Sequence, residues 1–339
     1  MFSQDTVSIL SYNVFIGPIC PIFPWIPRLL GSTRLQKQIH EIHTLSPDIL
    51  LLQEVYCKKV LNAYQQVLHK NYTPVYSDGQ FRKVGCFLWY ALLTLTSFSL
   101  FYVTSFFTAS QNISIYLLPI FSLLSRYIWH NTVPHSFCTG DILGGTVIFY
   151  KNMKLKEFSQ SHTTLFREQR GDILNTICPR AYQIVPLMIN RKILNIVHVH
   201  TNCMGLPSYR KSQILEALHK TSDINSLNVK DTSIFLCGDF NCDSKDPSLK
   251  ELYSEYHFLD SFIQGNGKGD GFTWNEENIL TKGFMRSYPN IRCDMILCKP
   301  SKKVSLEFLQ SILVLQGGKY TPPSDHYGLM STILISFLK

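Results

Sequence analysis

Short apolar runs that stop at a polar residue recur from one end of the chain to the other. Val7 to Tyr12 alternates and ends at Asn13; Ile49 to Leu52 is continuously aliphatic and runs into Gln53 and Glu54. Ile193 to Val199 carries His198 and leads to His200, and Ile234 to Cys237 runs into Gly238-Asp239-Phe240-Asn241. Met295 to Cys298 follows Asp294 directly, and Leu329 to Phe337 begins just after Ser324-Asp325-His326. Their length and apolar content predict buried strands, as they do for Gly144 to Tyr150 and Ala181 to Ile189. Between them, Leu35, Ile39, Ile42 and Leu45 have helical spacing, stopped by Ser46-Pro47-Asp48. Val60, Leu61, Tyr64, Val67 and Leu68 predict a second helix, and Ser208 to His219 a third. Strands and helices are interspersed along the chain, which places it in the α/β class.

One stretch departs from this pattern. From Val84 through Ser125 there is no Asp, Glu, Lys, Arg or His. Phe87 to Phe107 has the length of a bilayer span, which takes ~20 residues. Ala109-Ser-Gln-Asn interrupts it, and Ile113 to Trp129 is a second apolar run containing Pro119. Arg82, Lys83 and Arg126 flank the pair, so the expectation is a membrane-embedded helical hairpin, residues 84–130, with both ends on the cytosolic side. Residues 1–83 and 131–339 would then form one catalytic domain facing the cytosol. A fully buried hairpin in a soluble fold, or a re-entrant pair, are the other readings of the same residues. Gly17 to Gly31 is Pro-rich with an apolar crest of Ile22, Phe23, Trp25 and Ile26, read as a rim facing membrane or substrate or as a loop folded onto the core.

Composition changes this picture little. At 339 residues the chain has ample length for a core, and its 17% charged and 13% aromatic content reflects the apolar stretch. A net charge of +8 suits an anionic partner such as a phosphate ester, nucleic acid or acidic lipid surface. The ten cysteines show neither CxxC pairs nor zinc-ligand spacing, which argues for reduced thiols on the cytosolic side. The N-terminus leads straight into a strand pattern, with no cleavable signal peptide read there.

The polar residues at strand ends carry the candidate chemistry. In the Gly-Asp-Phe-Asn turn a glycine lets the backbone swing outward, so Asp239 and Asn241 leave the strand on one side. One accepts and the other both donates and accepts, a pair suited to a water and a phosphoryl oxygen. The tetrad alone reads as a common turn; what sets it apart is that Asn13, Glu54, His198 or His200, Asp294, Asp325 and His326 stand beside apolar runs as well. Carboxylate and amide oxygens suit Mg²⁺, with Mn²⁺ as a substitute, whereas zinc favours more His or Cys.

The ordered motifs SYNV (Ser11 to Val14), LLQEV (Leu51 to Val55), VHVH (Val197 to His200), LCGDFN (Leu236 to Asn241), IRCDMIL (Ile291 to Leu297) and SDH (Ser324 to His326) resemble the endonuclease/exonuclease/phosphatase superfamily with its DNase-I-like fold, and within it most closely the neutral sphingomyelinases. The resemblance implies a four-layer α/β/β/α sandwich of two mixed sheets, here with the hydrophobic hairpin inserted. It implies Glu54 as the principal Mg²⁺ ligand, supported by Asn13 and Asp325. Asp239 would orient or deprotonate water, Asn241 would bind phosphate, and His326 would be the general base oriented by Asp294. His198 matches the family's phosphate-binding histidine, with His200 ranked second. Pro179-Arg180-Ala181 stands where sphingomyelinases often show Lys-Gly, which makes Arg180 a candidate phosphate ligand.

The function expected from this set is a membrane-associated, Mg²⁺-dependent phosphodiesterase of the phospholipase C type. It would release phosphocholine from sphingomyelin or a related choline lipid, with a membrane phospholipid as partner and no nucleic acid. The alternatives are an inositol-phosphate or phosphoinositide phosphatase and a metal-dependent nuclease. No protein partner is inferred.

Overall fold

The computed structural model describes residues 3–15, 32–78, 142–169, 179–203, 206–225, 233–265, 267, 269–281, 289–318 and 322–337. The first half runs β1 (Ser3–Asn13), α1 (Ser32–Leu45), β2 (Ile49–Gln53), α2 (Lys58–Leu68), β3 (Tyr72–Val75) and β4 (Val147–Lys151). Then come β5 (Lys156–Glu157), β6 (His162–Leu165), β7 (Ala181–Ile189), β8 (Lys192–His200), α3 (Pro207–Asn225) and β9 (Ser233–Asp239). The chain closes with α4 (Lys250–Ser254), β10 (Leu259–Asp260), α5 (Ser261–Gln264), β11 (Asp294–Lys299), β12 (Val304–Val314) and β13 (Gly328–Phe337).

These strands form two mixed sheets. One has the order β12-β13-β1-β2-β4-β3; the other has β10-β11-β9-β8-β7-β5, with β6 also paired to β7. The parallel neighbours β1–β2 and β8–β9 need crossovers, and α1 and α3 supply them. Side-chain parity then sorts the core into layers. Val7, Ile9, Ile49, Leu51, Leu194, Ile196, Phe235, Cys237, Ile296 and Cys298 fill the space between the sheets. Leu10, Tyr12, Leu50 and Leu52 point the other way, onto Ile39 and Ile42 of α1 and Leu61 and Tyr64 of α2. Val197, Val199, Ile234 and Leu236 pack against Ile214, Ala217 and Leu218 of α3. Three apolar layers make the α/β/β/α sandwich expected from the sequence.

The long strand β12 has no counterpart in the sequence reading. It is a sheet edge in which Val304, Leu306 and Phe308 alternate toward the core until a register shift between Phe308 and Gln310 breaks the period, leaving Leu309 and Ile312 exposed. The segment 84–130 read as an inserted hairpin, and the 17–31 loop, lie outside the described residues. The expectation of a membrane location is corrected: among the described residues no helix is long and apolar enough to cross a membrane.

Asp48, at the entry to β2, ties the first sheet together. It accepts from Ser8 N at 2.9 Å, Ser8 Oγ at 3.1 Å and Lys154 Nζ at 2.7 Å, with Lys151 Nζ 3.4 Å away. Burial opposes its charge, but the Lys154 and Ser8 bonds and both ammonium groups carry the carboxyl below its ordinary value. A lowered folded-state value stabilises above the unfolded carboxyl range of about 4, and that contribution is lost as pH falls through the folded value. Asp48→Asn is expected to cost about 1–3 kcal/mol in urea unfolding near neutral pH. It should also flatten the acid limb of stability; an unchanged acid limb would contradict this assignment.

Candidate active site

The parity that fills the inter-sheet layer also gathers the polar strand ends. Asn13 continues the Val7–Ile9 face of β1, and Gln53 continues the Ile49–Leu51 face of β2. His198 and His200 continue the Leu194–Ile196 face of β8, Asp239 follows Phe235 and Cys237 on β9, and Asp294 precedes Ile296 on β11. Register aligns the ends: Asn13 stands opposite Gln53, His200 opposite Asp239, and Asp239 opposite Asp294. Where the apolar filling stops, the facing side chains become a polar cluster. Asn13 Nδ2 donates to Asp239 Oδ2 at 3.0 Å and so joins the two sheets across the site.

Three of the described non-glycine residues with positive φ lie at this place. Glu54 has φ +65°, Asn241 φ +49° and Phe15 φ +49°, in the left-handed region that costs non-glycine residues about 1–3 kcal/mol and recurs at functional sites. The turn at Glu54 takes its carboxylate out of the β2 ladder toward Arg180, whose Nη1 lies 3.5 Å from Glu54 Oε1. Arg180 Nη1 also contacts both ring nitrogens of His200, at 2.9 Å from Nδ1. His200 Nε2 is 3.5 Å from Asp239 Oδ2 and 4.0 Å from Glu54 Oε1. Burial and the adjacent guanidinium hold its imidazole well below the ordinary value, so the ring is neutral.

His198 sits one strand step inward. Its Nε2 is 2.6 Å from Gln53 Nε2, its Nδ1 is buried without a partner, and burial pushes it down to about 3. The two histidines share a face of β8, and it is His200 that the β8–β9 register sets beside Asp239. Asn241 donates its backbone N–H to Asp239 Oδ1 at 2.8 Å and its side-chain amide to the Thr201 carbonyl at 2.8 Å.

On the far side, His326 Nδ1 is 2.8 Å from Asp294 Oδ2, while Nε2 faces Asp239 Oδ2 at 4.0 Å. Burial opposes a charge on this ring, but Asp294, Cys293 and Asp239 together hold it well above the ordinary value. Burial, with Asp294 nearby, raises Asp239 to about 6. Burial and the Glu54 carboxylate raise Asp325 to about 7.

Several residues that shape the site were not site candidates in the sequence, though Ser324 lies in the SDH motif. The Trp274 ring meets His326 edge-on at 5.2 Å, and Thr273 Oγ1 accepts from Asp294 N at 3.0 Å. Ser324 Oγ donates to the Asn13 carbonyl at 2.7 Å, and the Gln38 amide donates to the Pro323 carbonyl at 2.6 Å. A tryptophan in a polar loop was the one visible cue. Arg292, two residues before Asp294, faces away and forms a bidentate pair with Asp260 at 2.9 and 2.8 Å.

The donor set fits a divalent cation. Asp239, Cys293 and His326 offer ligand atoms within 4.8 Å of one another. Burial and Asp294 push the Cys293 thiol far up, so it stays protonated and is a poor ligand at neutral pH. Glu54, Asp325, Asp239 and Asn13 are the better match in chemistry, since hard oxygen ligands suit a divalent cation, although the three carboxylates do not themselves close to within 4.8 Å of one another. Two of those carboxyls are raised by burial in a way that a bound cation would relieve.

Three solved structures show the same architecture. Truncated Caenorhabditis elegans TDP2 is 17% identical with a TM-score of 0.58, and 97% of each chain is covered. D. rerio TDP2 complexed with single strand DNA product is 15% identical at 0.61, covering 97% of this chain and 99% of that one. The human Nocturnin catalytic domain with bound sulfate anion is 15% identical at 0.57, covering 98% and 96%. At these identities the likeness is one of fold. No curated protein matches the sequence. A fold of this kind seen with a DNA strand overturns the expectation that nucleic acid is not a partner. The model of the Endonuclease/Exonuclease/phosphatase family matches residues 10–326, from within β1 to His326, and the chain therefore belongs to that family of metal-dependent phosphodiesterases, nucleases and phosphatases.

Proposed function

We propose that the chain is a Mg²⁺-dependent phosphodiesterase, and that its substrate is a single-stranded nucleic acid. The observation that carries the reaction class is the convergence of Asn13, Glu54, His200, Asp239, Asp294 and His326 where the two sheets meet. The substrate class draws support from the net charge of +8 and from the similar fold crystallised with a DNA product.

Glu54, Asn13 and Asp325 would hold the cation, which supplies positive charge to a phosphoryl oxygen when bound. Asp294 accepts from the Nδ1–H of His326 and fixes that ring so that Nε2 looks toward Asp239. The Asp239–His326 pair receives the proton of the attacking water, as its oxygen forms the new P–O bond and the leaving oxygen departs with the electrons of the old one. Arg180, His200 and Asn241 present N–H groups to the phosphoryl oxygens as charge builds. His198, held by Gln53 a step further in, supports that wall of the site.

The finer likeness to neutral sphingomyelinases rests on the helix after the Gly-rich loop, the VHVH strand followed by Tyr209-Arg210, the Asn290-Ile-Arg-Cys-Asp294 segment and the apolar stretch, and it defines the competing arm of the test. The purified chain would be incubated with a single-stranded oligodeoxynucleotide, with bis(p-nitrophenyl) phosphate and with sphingomyelin in detergent micelles, each with Mg²⁺ or with EDTA. Cleavage of the oligonucleotide that disappears in EDTA is the expected result. Phosphocholine release with an intact oligonucleotide would replace the nucleic-acid reading by the lipid one. Undiminished hydrolysis in EDTA would overturn the cation requirement.

A further inference from the structure

A buried guanidinium is an odd neighbour for a cation ligand. Arg180 is 4% exposed, and its Nη1 lies 3.5 Å from Glu54 Oε1. Its backbone is pinned on both sides by one side chain: Gln169 Oε1 accepts from Arg180 N at 2.9 Å, and Gln169 Nε2 donates to the Arg180 carbonyl at 2.7 Å. Gln169 is itself buried, so the position of Arg180 is built into the wall between β6 and β7. A fixed positive charge here opposes any cation that shares Glu54. It becomes favourable again only when an anion enters, because the guanidinium fork suits a phosphate at least as well as a single carboxylate oxygen.

We propose that Arg180 is an internal competitor for Glu54 that couples cation binding to phosphate binding. With the site empty it neutralises Glu54 and leans on His200. A cation reaching Glu54 displaces the ion pair, and the released guanidinium is satisfied by the incoming phosphoryl group. Cation and phosphate therefore favour each other, and the cation alone binds weakly. By linkage the coupling is reciprocal. This inference rests on Glu54 being a cation ligand, and it assigns Arg180 a part beyond contacting substrate. Gln169 becomes a positioning residue, since it sets where the guanidinium starts.

The test is Mg²⁺ binding by calorimetry, without any activity readout, on wild type, Arg180→Gln, Arg180→Lys and Glu54→Gln, each with and without inorganic phosphate. Thermal unfolding shows that each variant is folded. Removal of the competitor should tighten Mg²⁺ binding in Arg180→Gln on the order of 10-fold. Phosphate should tighten Mg²⁺ binding more in wild type than in Arg180→Gln, with Arg180→Lys between them. Equal or weaker Mg²⁺ affinity in Arg180→Gln would overturn the competition while leaving Glu54 a ligand. Unchanged Mg²⁺ affinity in Glu54→Gln would instead overturn the ligand assignment, and this inference with it. Should Arg180→Gln fail to fold, the Arg180→Lys and wild-type titrations still decide: identical phosphate coupling in those two would refute a role for the guanidinium fork.

Discussion

His326→Ala is expected to lower the rate of phosphodiester hydrolysis by about 10²–10⁴-fold, the span usual for loss of a positioned acid or base. Everything around this ring fixes its direction. Asp294 holds Nδ1 at 2.8 Å, Trp274 abuts the ring edge-on at 5.2 Å, and the backbone N–H of His326 donates to Ser324 Oγ at 3.2 Å. One nitrogen is committed to Asp294, and the other is aimed at Asp239 across 4.0 Å. Because the ring is buried, alanine also leaves a void, so His326→Gln is the companion variant of similar size. Steady-state turnover on bis(p-nitrophenyl) phosphate, with thermal unfolding as the control for folding, reads the effect. Near-normal turnover in both folded variants would remove His326 from the proposed proton pathway. Asp294→Asn should lie between wild type and His326→Ala, since it leaves the imidazole in place but weakens its orientation.

Gly238→Ala is expected to destabilise the fold by roughly 3–5 kcal/mol, a large share of the 5–15 kcal/mol typical of a domain. Gly238 has φ +138°, a conformation L side chains rarely adopt. A Cβ built there would stand 1.9 Å from the Val199 carbonyl oxygen. That oxygen belongs to the parallel neighbour β8, where Val199 is the register partner of Gly238, so relief requires the two central strands to part. The cost adds backbone strain to overpacking. Urea unfolding or the midpoint of thermal unfolding measures it, and a variant of native stability would show that the turn can be made without glycine. The consequence reaches the site at once: Asp239 and the turn to Asn241 follow this residue, and β8 carries His200.

The two sheets and their flanking helices were legible because burial on one face imposes period two on a strand and 3.6 on a helix. Val7–Ile9–Asn13 and Phe235–Cys237–Asp239 keep one parity from core to site, so a polar residue closing an apolar run could be read as a site candidate. The edge strand β12 escaped this logic, because a register shift between Phe308 and Gln310 interrupts its period of two. Trp274, Thr273 and Gln169 escaped it for another reason. Each acts through contacts with residues distant along the chain, such as Thr273 Oγ1 accepting from the Asp294 amide, and no local pattern records those. The membrane location rested on an apolar stretch outside the described residues. The expectation of no nucleic-acid partner had no counterpart in the fold, which is also seen with a DNA product in D. rerio TDP2.

The choice between His198 and His200 shows the limit most clearly. Both lie on the same face of β8, and periodicity treats them alike. Register with β9 and the turn after β2 set His200 beside Asp239 and Glu54, and left His198 against Gln53. What the sequence alone determined is the family and its strand-end candidates: the ordered motifs, the carboxylates and the histidines, since residue chemistry and alternation are local properties. What tertiary structure alone decided is which of these groups meet. Asn13 bonds Asp239 across the sheets, Asp294 holds His326, and Arg180 faces Glu54. Such pairings depend on strand order, register and backbone strain, and these follow from packing two sheets face to face.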